Sequence, residues 1–288
     1  MEAQSATQPI GFAFVESLAE ELSKGSIELP AFPDIVIKIR KALDDDNCTT
    51  DQLSQLLSSE PALATRMLQL ANSAALRRGP DPVTEVGIAI NRLGRDIVQN
   101  SVMAYAMRQM RQTQKLKAAQ PYLETVWHDG VNVASVCFVM ARKFTKLSPD
   151  QALLAGLLHG VGKLYILSKA EEYPELFADE ESLMTLMDEW HCPIGGSILE
   201  SLDFGDELAH AVGNYQDTLR EHEGDVDFTD VLTIAYQIAG LLNDEENFEM
   251  QLADIPASQY FATSVQDFFT ILQESQEHID SLKSALGG

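Results

Sequence analysis

Apolar residues recur at intervals of three and four along almost the whole chain, the spacing that places them on one face of an α-helix. Leu63, Met67, Leu70 and Ala71 show this spacing. No run of alternating polar and β-branched residues, the pattern of a half-buried strand, is present. The pattern therefore predicts an all-α protein, a bundle of many helices.

Several short segments predict where helices begin and end. Ser148-Pro149-Asp150-Gln151 combines an N-cap residue, a proline at the first helical position and a capping-box glutamine, and Ser59-Glu60-Pro61 predicts a second start. Prolines at positions 30, 33, 80, 82, 121, 174 and 193 should divide the rest into helices of ordinary length. The polar segment 112–121 is the predicted boundary between two halves, and one continuous helix joining them is the alternative.

Charge is distributed unevenly in this acidic chain, whose formal net charge is −24. Residues 66–146 contain 12 Lys/Arg against 5 acids, whereas residues 171–288 contain 27 acids against 2 Lys/Arg. The two regions are either ordinary solvated helix faces or surfaces that complement each other or a partner. Direct nucleic-acid binding is disfavoured, because the acidic third would repel phosphates.

The remaining composition favours a cytoplasmic protein. The N-terminal sequence MEAQSATQPIG contains no basic segment followed by an apolar run, so no secretory signal is predicted. No apolar run approaches the roughly 20 residues of a transmembrane helix. Cys48, Cys137 and Cys192 are far apart and form no CxxC pair, which favours neither disulfides nor a zinc knuckle.

Four segments together resemble one protein family, the bacterial HD-related output domain, or HDOD. They are LPAFP (29–33), SSEPALATRMLQLANSA (58–74), AINRLG (89–94) and LLAGLLHGVGKL (153–164). The resemblance implies an all-helical domain, distantly related to HD phosphohydrolases, that serves signalling or regulation. It also suggests the domain limits: a helical lead-in (1–24), an HDOD domain (25–215) with an N-terminal helical half (25–118) and a degenerate HD-like half (119–215), and an acidic helical extension (216–288).

The resemblance also identifies positions for metal ligands. HD phosphohydrolases hold a divalent cation with histidines and aspartates, which polarise a bound water. The first histidine of that set corresponds to His128, and the histidine of the His-Asp doublet corresponds to His159. The doublet's carboxylate position is Gly160, and the final aspartate position is Tyr236.

Relatives with two metals have further ligands, which this chain retains only in part. His191 matches an additional histidine, whereas a His-His pair is replaced by Asn214-Tyr215. We therefore expect no cofactor and interpret His128, His159 and His191 as vestigial, semi-buried residues. Three neutral imidazoles with a divalent metal remain the alternative, although phosphate-ester hydrolysis usually also needs oxygen ligands.

Two short motifs invite a different interpretation of the site. His128-Asp129 is a literal His-Asp pair, but it lacks the apolar setting of His159, so Asp129 is predicted to be an exposed helix residue. Gly160-Val161-Gly162-Lys163 lacks the preceding strand and the spacing of a phosphate-binding loop. It is better interpreted as a break between helices.

The predicted function is a non-catalytic signal-transduction module that acts by binding a protein or a ligand. Asn72, Ser73, Arg77 and Arg78 are candidate partner contacts, although Asn72 also suits a left-handed helix C-cap. The alternative is a metal-dependent phosphohydrolase or phosphodiesterase with a degenerate site. A third candidate is a nucleotide sensor, in which a basic segment at 92–117 or 143–163 binds phosphate without cleaving it.

Overall fold

A computed structural model describes residues 10–24, 34–45, 47–73, 76, 81–113, 118–202, 204–261 and 264–286. Within these ranges the chain is helical and contains no strand, which confirms the predicted all-α class. The helices are α1 (Ile10–Lys24), α2 (Asp34–Asp44), α3 (Thr50–Ser58), α4 (Pro61–Asn72), α5 (Val86–Leu93), α6 (Arg95–Thr113), α7 (Gln120–Phe144), α8 (Pro149–Leu158), α9 (Val161–Lys169), α10 (Glu180–Ser201), α11 (Asp206–Asn214), α12 (Phe228–Ile238), α13 (Glu245–Leu252), α14 (Val265–Glu274) and α15 (Gln276–Leu286). Short 3-10 helices cover Ala170–Glu172, Pro174–Ala178 and Pro256–Tyr260.

Most helix starts have a visible cause in the sequence. Ser148 caps α8 by accepting a hydrogen bond from the amide of Gln151, and Pro149 is its first helical residue, as predicted. For α4 the capping residue is Glu60 rather than Ser59, and Pro61 follows it. Between the two predicted halves, α6 ends at Thr113 and α7 begins at Gln120, so the alternative of one continuous helix is wrong.

Pro193 does not divide the chain as expected, because α10 continues through it to Ser201. A proline inside a helix removes the hydrogen bond to the carbonyl four residues earlier. That carbonyl belongs to Glu189, which is exposed, so water can satisfy it. The prediction of a helix end at this proline is therefore wrong.

The long helix α7 forms the centre of the second half. Residues 133–141 are buried on every side of the helix, as expected for a helix surrounded by others. It packs against α8, α9, α12 and α15. Beyond α9, α10 and α11 form an antiparallel pair, and α12 packs on α7, α8 and α11.

The last helix connects the two halves of the molecule. In the first half, α2 to α6 pack on one another, and α6 contacts α8. The C-terminal α15 packs on both α7 and α4, with Ile279, Leu282 and Leu286 buried. The buried guanidinium of Arg66 in α4 donates a hydrogen bond to the carbonyl of Leu286. Residues beyond 215 thus contribute to the core on which the first half rests.

Candidate functional site

His159 lies at the end of α8, immediately before the break that separates it from α9, as the Gly160–Lys163 sequence predicts. Its side chain is 2% exposed. Its Nδ1 lies 2.6 Å from the carbonyl oxygen of Gly156. Because a carbonyl can only accept, Nδ1 carries the proton and donates. Burial lowers the pKa of His159 to about 3, so the imidazole is neutral at physiological pH.

His191 lies in the middle of α10 and is fully buried. Its Nδ1 donates to the carbonyl of Met187 at 2.5 Å, and its Nε2 lies 2.7 Å from the hydroxyl of Tyr215. With the proton on Nδ1, Nε2 accepts the hydrogen bond from that hydroxyl. Burial, followed by the charge of Lys163, lowers the pKa of His191 to about 4. The nitrogen that could ligate a metal already has a partner.

Two tyrosines occupy positions where the family resemblance places ligands. The ring of Tyr215 lies edge to face against His159 at 5.4 Å, His191 at 5.7 Å and Tyr236 at 4.9 Å between centroids. Tyr236 also contacts His159, at 5.5 Å. Burial raises the pKa of Tyr215, so its phenol stays protonated. We call His159, His191, Tyr215 and Tyr236 the aromatic cluster, since their rings contact one another.

Lys163 adds a positive charge beside the aromatic cluster. Its Nζ lies 5.8 Å from the ring centre of Tyr236, within the range of a cation–π contact. Its charge helps to lower the pKa of both His159 and His191. A divalent cation at this position would be repelled by the ammonium group.

The glycines next to His159 are required by close packing. A Cβ on Gly160 would lie 2.8 Å from Cγ1 of Val126, so a side chain there needs Val126 to move. A Cβ on Gly162 would lie 2.0 Å from the carbonyl oxygen of His191, where only backbone is available to shift. Side chains at these two positions would therefore disturb the packing of the neighbouring helices.

The third histidine has a different environment. His128 and Asp129 are both exposed on α7, which confirms the prediction for Asp129. Burial of part of the Asp129 side chain raises its pKa, and the nearby charges of Lys163 and His128 oppose that shift. The structure therefore brings His159 and His191 together, both buried around Tyr215, and leaves His128 exposed, so the expectation of three semi-buried histidines is wrong.

The candidate partner contacts divide into two groups. Asn72 is the last residue of α4, and its amide donates to the carbonyls of Leu68 and Val83 and accepts from the amide of Val83. The helix cap is Ser73, with extended backbone rather than the left-handed conformation suggested for Asn72. A partner contact by Asn72 would have to break these hydrogen bonds. Arg77 and Arg78 lie outside the described residues.

One polar cluster was not foreseen from the sequence. Among the residues that the structure describes, His222, Asp227 and Asp230 are the group whose ligand atoms lie close enough to hold a metal, within 4.8 Å of one another. Arg220 already binds both carboxylates, at 2.5 Å to Asp227 and 3.0 Å to Asp230. Asp227 and Asp230 also form a reciprocal capping box at the start of α12. The cluster is an ion-pair network that fixes this helix, and the D-x-x-D spacing is its signal in the sequence.

A model of one protein family, described as the HDOD domain, matches residues 29–218. A crystal structure from Shewanella amazonensis, provisionally named as a metal-dependent phosphohydrolase, is 23% identical and has a TM-score of 0.80, covering 96% of this chain and 99% of that one. A structure from Marinobacter aquaeolei, provisionally named as a signal transduction protein, is 17% identical with a TM-score of 0.59, covering 99% and 68%. At such identities the likeness establishes the shared fold.

A curated relative from Treponema pallidum, described as uncharacterized, is 24% identical over 164 residues. The match covers 55% of this chain and 29% of that relative, so this chain corresponds to less than a third of the relative's length. In the described part of the chain, no helix has the length and apolarity that a membrane crossing requires.

Proposed function

The chain belongs to the HDOD family, and on that premise we propose that it is a non-catalytic signal-transduction module that regulates by binding a protein or a ligand. The observation that carries the proposal is the aromatic cluster. Hydrolysis of a phosphate ester in HD enzymes depends on a water polarised by a metal. Here the groups around His159 leave neither a ligand set nor a charge environment suited to a cation.

Three features of the aromatic cluster support this proposal. The Nε2 of His191 accepts a hydrogen bond from the hydroxyl of Tyr215, so this nitrogen could bind a metal only after that hydrogen bond is broken. Gly160 and Tyr236 supply no carboxylate where oxygen ligands are needed. Lys163 places a positive charge next to both imidazoles. Each feature separately weakens metal affinity, and together they oppose a bound divalent ion.

The alternative function is hydrolysis by a residual metal centre, the activity in the provisional name of the Shewanella protein. It is tested with purified protein by elemental analysis and by phosphodiesterase and phosphatase assays in added Mn²⁺, Fe²⁺ or Zn²⁺. We expect substoichiometric metal and no turnover. Metal-dependent turnover that disappears in His159→Ala would replace the proposal with the alternative.

A partner is the remaining part of the proposed function. The uneven charge of the chain and the family of the domain favour a signalling protein, and a nucleotide is the second kind of ligand that a basic surface segment could bind. We place this activity in the cytoplasm, since all three cysteines are free thiols. Affinity capture from the native host, with the charge-reversed variants described below as controls, identifies the partner.

A further inference from the structure

A groove lies at the opposite end of α8 from His159. The helix has 10 residues, so the two ends are about 15 Å apart. Two adjoining cavities, of about 560 and 510 Å³, share Leu147 and Val226 in their lining. We call the continuous depression the charged groove; the residues used below to describe it are Lys143, Lys146, Leu147, Asp206, Glu207, Asp225, Val226, Asp227 and Phe228.

One end of the charged groove is positive. Lys143, in the last turn of α7, and Lys146, just after it, are exposed and line the first cavity together with Tyr260. In the described part of the chain neither lysine has a carboxylate within ion-pairing distance, although the protein carries a net charge of −24. Asp225 also lines this cavity. Two ammonium groups are thus available to an anionic group of a ligand.

The other end of the charged groove is negative. Asp206 and Glu207 lie in the first turn of α11, where the helix N-terminus stabilises their charges. Both are exposed, and neither forms an ion pair with a cation of the described residues. They line the second cavity together with Asp227, whose carboxylate is held by Arg220. Two carboxylates therefore remain available to a cationic group.

The middle of the charged groove is apolar. Leu147 and Val226 are half-buried and line both cavities, and the buried Phe228 lines the second cavity. A ligand that covers this part would remove apolar surface from water, a gain of about 25 cal/mol for each Å². The order along the groove is therefore positive, apolar and negative.

We propose that the charged groove binds a short extended peptide segment of a partner protein. An acidic side chain of the peptide would lie at Lys143 and Lys146, an apolar side chain at Leu147 and Val226, and a basic side chain at Asp206. This inference rests on the proposed function and specifies the partner's chemistry. Five or six extended residues span about 15–20 Å, a length suited to two joined cavities.

The charges favour a peptide over a ligand that carries phosphate alone. A purely anionic ligand could pair with Lys143 and Lys146 but would leave Asp206 and Glu207 at the other end unpaired. A segment with opposite charges at its two ends satisfies both ends of the groove. Its backbone and apolar side chains also fill cavities of the size that small ligands occupy.

The proposal is tested by fluorescence anisotropy with three dye-labelled hexapeptides of one composition. Two have segregated charges in opposite chain directions, Glu-Glu-Leu-Val-Lys-Lys and Lys-Lys-Leu-Val-Glu-Glu, and the third, Glu-Lys-Leu-Val-Glu-Lys, has alternating charges. We expect one segregated peptide to bind about tenfold tighter than the alternating one, with saturation below about 1 mM. Absence of saturation for both segregated peptides, or equal binding of all three, overturns the proposal.

Charge-reversed variants assign the binding to the groove. Lys143→Glu/Lys146→Glu should weaken binding of the segregated peptide at least about tenfold. The matched control is Lys38→Glu/Lys41→Glu, two exposed lysines with the same spacing on α2, which should leave the affinity unchanged. If the reversed pair loses its fold, as judged by circular dichroism, Lys143→Gln/Lys146→Gln replaces it. Equal affinities for the groove variant and the control overturn the assignment.

The acidic end has its own matched pair of variants. Asp206→Asn/Glu207→Gln should weaken binding, whereas Glu245→Gln/Glu246→Gln, in the first turn of α13, should not. Inorganic pyrophosphate is the third probe. Saturable pyrophosphate binding that requires the two lysines, without peptide binding, overturns the proposal in favour of a phosphate site. These measurements do not depend on the metal and hydrolase assays, so the failure of one proposal is distinguishable from failure of the other.

Discussion

The two ends of α8 have opposite character. At its C-terminal end, His159 is surrounded by Tyr215, Tyr236 and buried backbone, and the imidazole is neutral. At its N-terminal end, exposed lysines and carboxylates surround cavities that no side chain of the described residues fills. The end that carries the LLAGLLHGVGKL motif is packed as a core, whereas the other end is open and charged. A recognisable sequence motif can therefore mark buried packing rather than an accessible surface.

We call the C-terminal end of α8, around His159, the filled end, and its N-terminal end, at the charged groove, the open end. The strongest test of close packing at the filled end is Gly162→Ala. The added Cβ would collide with the carbonyl of His191, so α9 and α10 would have to separate. We expect the free energy of unfolding in urea to fall by about 4 kcal/mol. Gly130→Ala is the control, because its Cβ would lie 3.5 Å from the nearest atom, and it should stabilise α7 by about 0.5 kcal/mol. Similar effects for both variants would show that the filled end is loosely packed.

The neutral histidines of the filled end predict sensitivity to acid. In the unfolded chain a histidine binds a proton near pH 6.5, whereas burial holds the pKa of His159 at about 3 and that of His191 at about 4. Below pH 6.5 the unfolded state therefore binds more protons, and stability falls as the pH drops toward about 4. Between pH 7 and pH 5 we expect the two histidines together to remove about 4 kcal/mol.

Urea titrations at a series of pH values check this expectation. His191→Gln removes one of the two buried histidines. The histidine contribution to the pH dependence of its free energy of unfolding, between pH 6.5 and 5, should therefore be about half as large. The difference between the variant and the original chain isolates the histidine from the many carboxylates. An identical pH dependence for both would mean that folding does not lower the pKa of His191.

The hydrogen bond inside the aromatic cluster gives a smaller effect. Tyr215→Phe removes the hydroxyl that donates to Nε2 of His191 and leaves a buried acceptor poorly satisfied. We expect a loss of about 2 kcal/mol in the free energy of unfolding. Tyr236→Phe is the matched control, since its ring contacts remain and its hydroxyl has no hydrogen bond to the described residues. Equal losses for the two variants would contradict the role given to the Tyr215 hydroxyl.

Substitutions at the open end should hardly change the free energy of unfolding. Lys146→Ala removes an exposed side chain that has no ion pair within the described ranges. The free energy of unfolding should change by no more than about 0.5 kcal/mol. A loss above about 1 kcal/mol would show that this end, like the filled end, serves the fold.

The sequence predicted the filled end better than the open one. The apolar setting of LLAGLLHGVGKL predicted that His159 lies in the interior, which its burial confirms, whereas the loss of a metal site inferred from Gly160 and Tyr236 stays a prediction. That Tyr215 and Tyr236 would pack their rings on His159 could not be predicted, because it depends on how α8, α11 and α12 meet. The exposure of His128 depends on the same packing.

The charged groove and the Arg220 network escaped prediction for a related reason. The groove combines residues from α7, α11 and the segment before α12, so no single stretch of sequence contains its pattern. Pro193 was predicted to end a helix, which is the usual effect of proline. Helix α10 continues through it because Glu189, whose carbonyl loses its hydrogen bond, is exposed to water. Local rules predicted the start of α8, but they failed for Pro193 and for the sites where several helices meet.

The contact between Arg66 and Leu286 has a consequence for synthesis on the ribosome. The two residues are 220 positions apart, and α15 covers apolar surface of both α4 and α7. At translation rates of 5–20 residues per second, roughly 10–40 s pass between the synthesis of the arginine and that of its acceptor. Throughout that interval the surface of α4 around Arg66 is not yet covered by α15. The chain can acquire its final core only after translation has reached its last helix.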